Sequence, residues 1–158
     1  PYLLHVLSSY GHTDLAYTLL LRTEYPSWLY PVTKGATTVW EHWDGIMENG
    51  DFWSTDMNSL NHYAYGAVAD WVYEEAAGIH TVEEAPGFER VKIAPKPDSR
   101  LDWLEASIET RKGLVRSLWK QEEGRFRYEI TTPSPASIVI DGVETQVGPG
   151  EYIFYSRI

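Results

Sequence analysis

Near residue 80 the hydrophobic pattern changes from a helical period to a strand period, so the chain cannot be one uniform stack of helices or of sheets. Before that point Leu3, Leu4, Leu7 and Tyr10 recur at helical spacing, and Gly11 is placed to stop the helix. Thr13 can cap a second helix with Leu15, Ala16, Leu19 and Leu20 on its buried side. Tyr25-Pro26-Ser27-Trp28 ends that helix, because proline cannot continue a helix interior. A third helix is expected from about Asn58, with Tyr65, Val68, Ala69, Val72, Tyr73 and Ala76 in period and Gly78 at its close. Between the second and third, Tyr25 to Met57 reads as a long loop region, and loops of that length commonly carry function.

After residue 80 the chain alternates or becomes β-rich at 91–93, 106–110, 114–119, 126–130 and 137–140. Turn residues separate these runs: Pro95 to Pro97, Lys112-Gly113, Glu123-Gly124, Asp141-Gly142 and Gly148-Pro149-Gly150. Short strands at this spacing predict an antiparallel sandwich. The fold class expected is therefore α+β, with a helical part over 1–80 and a sandwich over 81–158.

Composition follows the same division. Residues 1–80 hold five of the seven tryptophans, eight of the eleven tyrosines, and ten acids against two bases. Residues 81–158 are nearly balanced, with thirteen acids and eleven bases. The net charge of −10 argues against nucleic acid or an anionic membrane as partner, since both need a basic surface. No apolar run approaches the ~20 residues of a membrane-spanning helix. The absence of cysteine excludes disulfides and thiolate metal sites, and no His-x-x-x-His pairing occurs, so neither a metal nor a cofactor is expected. The chain opens Pro1-Tyr2-Leu3-Leu4-His5, without an initiator methionine or a signal-peptide pattern, and reads as the middle of an amphipathic helix. It is expected to be a piece of a longer protein, in which any site is half a site.

The densest chemistry lies in Thr37-Thr38-Val39-Trp40-Glu41-His42-Trp43-Asp44-Gly45. Sugar rings stack their apolar faces on tryptophan and hydrogen-bond carboxylates through their hydroxyls, so an acid between Trp40 and Trp43, with Asp44 beyond, suits a saccharide site. Glycoside hydrolysis needs two carboxyl groups across the scissile bond. From spacing alone the plainer reading leads: Trp40 and Trp43 in the core, Glu41 an exposed acid. Trp53 can add an aromatic wall or pack the loop, and His62 can donate to a sugar hydroxyl or sit as a satisfied interior histidine. His42, next to Glu41, would point elsewhere on a regular element.

The order of several segments is similar to that in bacterial α-L-rhamnosidases: Tyr25-Pro26-Ser27-Trp28, Gly35-Ala36-Thr37-Thr38-Val39-Trp40-Glu41, Ser59-Leu60-Asn61-His62-Tyr63-Ala64-Tyr65-Gly66, Pro86-Gly87-Phe88 and Ile93-Ala94-Pro95. The resemblance runs along essentially the whole chain. It implies the last helices of an (α/α)6 barrel followed by a C-terminal β-sandwich, and an enzyme that inverts configuration on releasing terminal rhamnose. It implies Glu41 as general base, His62 as a sugar contact, and a general acid in barrel sequence outside this chain. The family commonly has Arg after the catalytic Glu, where His42 stands here. The implied partners are a rhamnose-containing glycoside and the remainder of the barrel.

Two other readings stand beside this one: a carbohydrate-binding module, and a sandwich that only caps the barrel. With only Trp103 and Trp119 and no acid cluster, the sandwich half favours capping. Helices from a partial barrel would also leave an apolar face open, which predicts association into homo-oligomers or disorder.

Overall fold

A computed structural model describes residues 2–157. They form two compact units, one up to Ala69 and one from Asp70 onward.

The first unit begins with a helical hairpin, α1 (Leu3–Ser9) and α2 (Thr13–Leu21). Gly11, at φ 83°, makes the left-handed turn that ends α1, and His12 N–H reaches back to Leu7 O at 2.8 Å. Thr13 is the first residue of α2 rather than a side-chain cap, while Asp14 places an acid in the positive first turn. Leu4, Ser8, Ala16 and Tyr17 are the buried residues of the hairpin. A short helix, α3 (Leu29–Thr33), interrupts the stretch read as loop. Pro31 fits there because it is the third helical residue, whose N–H would have no intrahelical acceptor. The Ser27 hydroxyl accepts the Tyr30 N–H at 3.0 Å.

The expected third helix starts later than its apolar period suggests. Asn58 to Tyr63 is irregular; a 3-10 turn covers Ala64–Ala67, α4 covers Val68–Trp71, and a π-helical turn covers Val72–Ala76. The reason lies in residues 59–62, whose backbone groups pair with 38–41 and are unavailable to a helix.

The second unit contains two four-stranded sheets. One has the order β1 (Ile79–Thr81), β2 (Val91–Ile93), β6 (Ala136–Ile140), β7 (Val143–Val147); the other has the order β3 (Trp103–Thr110), β4 (Gly113–Glu122), β5 (Arg125–Thr132), β8 (Gly150–Arg157). All pairs are antiparallel except β2 with β6, which run parallel. Inward residues of both sheets share one core: Ile79, Val91, Ile93, Ala136, Ile138 and Ile140 face Val115, Trp119, Phe126, Tyr128 and Ile130. Burial alternates along β5 and β6, as the period of two requires.

Candidate active site

Glu41 and His62 lie on two irregular segments that bond to one another. Glu41 N–H donates to Ser59 O at 2.9 Å, and the Ser59 N–H donates to Glu41 Oε2 at 3.3 Å. One rung further on, His62 N–H donates to Val39 O at 2.7 Å, and the Thr38 hydroxyl donates to Leu60 O. These bonds hold a half-buried carboxylate and a half-buried imidazole on one frame without regular secondary structure. The donor on Glu41 is a backbone amide, whereas the His62 ring stacks on Tyr63 with centroids 5.7 Å apart. His62 lines an open depression of about 620 Å³ with Val39, Asn61, Tyr63, Gly66 and Ala67.

The tryptophans divide in their placement. Trp40 is 4% exposed and packs inward. Trp43 is half-buried in an aromatic cluster: it meets Trp28 edge to face at 5.3 Å and stacks on Tyr65 at 4.6 Å. The Trp28 N–H donates to Tyr65 O at 3.0 Å and ties the cluster to the 3-10 turn. Apolar cavities of about 240 and 230 Å³ open beside it, and both are lined by Trp28, Trp43, Tyr65 and Val68. Trp53, by contrast, is 46% exposed and lies flat on His42, with centroids 3.8 Å apart and planes 23° from parallel. Asp44 is half-buried in the turn closed by Gly45 N–H on His42 O.

That turn continues into a small hairpin with an isolated bridge between Ile46 and Phe52, and Trp53 N–H returns to Gly45 O at 3.1 Å. The hairpin delivers Trp53 to His42. Sequence reasoning missed Ser59, because a backbone donor leaves no trace in side-chain type, and Asn58, whose carboxamide reaches the Gly45 carbonyl rather than Glu41 itself. Only the proximity of Asn58 and Ser59 to the Asn61-His62 pair pointed that way.

The arrangement supplies a hydrogen-bonded carboxylate, an imidazole on the same frame and an open aromatic surface nearby. Comparison with known proteins gives these parts a context. Residues 1–76 match the bacterial α-L-rhamnosidase six-hairpin glycosidase domain, and residues 78–149 match the bacterial α-L-rhamnosidase C-terminal domain. The chain belongs to the bacterial α-L-rhamnosidase family.

An α-L-rhamnosidase of Streptomyces avermitilis is 43% identical over 133 residues, covering 84% of this chain and 13% of that protein. The crystal structure of a Streptomyces avermitilis α-L-rhamnosidase complexed with L-rhamnose has a TM-score of 0.88 at 35% identity, over 98% of this chain and 17% of its own. Native α-L-rhamnosidase from Aspergillus terreus has a TM-score of 0.91 at 35% identity, over 98% of this chain and 18% of its own. The chain spans 13–15% of the length of the curated relatives it matches. The fold class read from the sequence, barrel helices followed by a β-sandwich, agrees with these relatives.

Proposed function

We propose that this chain is the C-terminal part of an inverting glycoside hydrolase that releases terminal α-L-rhamnose, with Glu41 as general base. The observation that carries the reading is the pairing of Glu41 with the Ser59 amide inside the matched glycosidase segment. A carboxylate that accepts a backbone N–H is held in one orientation, which a base aimed at a single water requires. The water oxygen attacks the anomeric carbon while Glu41 takes its proton. The bond to the leaving oxygen breaks, and that oxygen takes a proton from an acid contributed by the rest of the barrel.

His62, in the open depression, is assigned to the sugar hydroxyls, and Trp53 to an apolar face of the bound glycoside. Asp44 serves the same site from the turn after Glu41. Trp40 and Trp43 support it from the packed side. Because the paired acid lies elsewhere in the parent enzyme, the isolated chain is expected to release no rhamnose. Tyr2, Leu3, Val6, Tyr10 and Leu15 are exposed along the helical hairpin, which suits a surface covered by the remaining barrel or, in the isolated chain, by a second copy.

Proton NMR of the first product formed by the intact enzyme tests the mechanism. Inversion at the anomeric carbon is expected; a product of retained configuration would contradict a general-base role for Glu41.

A further inference from the structure

The Asn58 carboxamide donates to the Gly45 carbonyl oxygen at 2.7 Å. A carbonyl can only accept, so this contact fixes which end of the amide faces Gly45. The amide oxygen, Oδ1, is buried with no hydrogen-bond partner among the described residues. An apolar side chain of the same size would fill the space without an orphaned acceptor, so the group is kept here for its N–H. Gly45 is buried, and a Cβ there would meet His42 O at 3.2 Å, Leu60 Cδ2 at 3.2 Å and Asn58 Oδ1 at 3.3 Å. The two residues therefore close on each other with little slack. Gly45 ends the turn that directly follows Glu41, because its N–H bonds His42 O at 3.0 Å. Asn58 directly precedes Ser59, whose amide and carbonyl both engage Glu41.

We infer that Asn58 is a positioning residue: by clasping Gly45 it sets the Ser59 amide, and through that amide the Glu41 carboxylate. The inference rests on the general-base reading of Glu41. Asn58 acts through the base, so its loss slows turnover and leaves substrate binding nearly unchanged. A catalytic group misplaced by about an ångström can lose up to roughly a hundredfold in rate.

The test uses the intact enzyme and an aryl rhamnoside, at a temperature where circular dichroism shows each variant folded. Asn58→Ala removes the donor, Asn58→Asp keeps the shape but turns an acceptor toward Gly45 O, and Gly45→Ala pushes the clasp open. Each is expected to lower kcat roughly ten- to hundredfold with KM within about twofold of wild type. If Asn58→Ala does not fold, the isosteric Asn58→Asp decides. Wild-type kcat in the folded Asn58 variants, or a loss carried by KM alone, overturns the inference while an inactive Glu41→Gln upholds the base. An active Glu41→Gln overturns both.

Discussion

The indole N–H of Trp119, on β4, donates to the carbonyl oxygen of Ala76 at 2.9 Å. Ala76 ends the π-helical turn, where the last carbonyls have no acceptor role left inside the helix. Two residues back on the same face of β4, the Ser117 hydroxyl donates to Ala77 O at 2.7 Å. Both side chains are fully buried, so two consecutive carbonyls that a sharp change of direction would orphan are satisfied by one strand.

Trp119→Phe keeps most of the buried volume but leaves Ala76 O without its donor. It is expected to cost about 1–3 kcal/mol, while Trp119→Ala, which also opens a cavity, is expected to cost about 3–5 kcal/mol. Denaturant unfolding followed by circular dichroism gives both values. Equal costs would show that the hydrogen bond and the packing are not separate contributions.

Gly78 and Gly124 share nearly the same left-handed φ, 76° and 75°. A Cβ on Gly124 meets nothing within 4 Å, whereas one on Gly78 falls 2.1 Å from Pro95 N. Ala94 N–H also bonds Gly78 O at 2.8 Å, so the two segments cannot separate freely. Gly124→Ala should cost about 1–2 kcal/mol from backbone strain alone. Gly78→Ala should cost well beyond that or abolish folding of the sandwich, and a comparable melting temperature for the two variants would refute the crowding argument.

Asp98 is held below the usual carboxylate range by hydrogen bonds from Arg100, and Glu105 by a hydrogen bond from Arg116. A carboxylate depressed in the folded state contributes stability that is complete above its unfolded value, about pH 4, and is lost as pH falls through the lower folded value. The sandwich should therefore weaken on acidification below about pH 4. Arg100→Met should flatten that decline, because it removes the guanidinium hydrogen bonds that contribute most to lowering Asp98 and leaves only the backbone N–H of residue 100. A parallel acid limb in wild type and variant would rule this pair out as a source.

Trp53 stacks on His42 and still remains 46% exposed. If Trp53 borders the glycoside, Trp53→Ala in the intact enzyme should raise KM about three- to tenfold, matching ~0.5–1.5 kcal/mol for an aromatic contact, with little change in kcat. An unchanged KM would place Trp53 outside the substrate's reach.

The β-half was legible because alternation survives in its strands: Phe126, Tyr128 and Ile130 point inward on β5 as their spacing requires. The short β1 offers three residues of pattern, and β7 is exposed along most of its length, so neither announces itself. The parallel pairing of β2 with β6 is a property of the path between them, which local pattern does not carry. The apolar period read beyond Tyr65 holds only in part, since Val68, Val72 and Ala76 are part-buried or buried while Ala69 and Tyr73 are exposed, and extending it back to Asn58 ignored a competing use of that backbone. Residues 59–62 pair with 38–41 across some twenty residues, through two backbone–backbone bonds indifferent to side-chain type and two that use the Glu41 carboxylate and the Thr38 hydroxyl. Glu41 and His62 stood out because their chemistry is in the side chain; the clasp of Asn58 on Gly45 did not.

The most direct test of the account is the turnover of the intact enzyme carrying Glu41→Gln. This change preserves shape and removes the base, and loss of a catalytic carboxylate should lower kcat by at least roughly 10²–10⁴-fold, with the protein still folded. Activity near that of the wild type would contradict the assignment of Glu41 as the group that activates water.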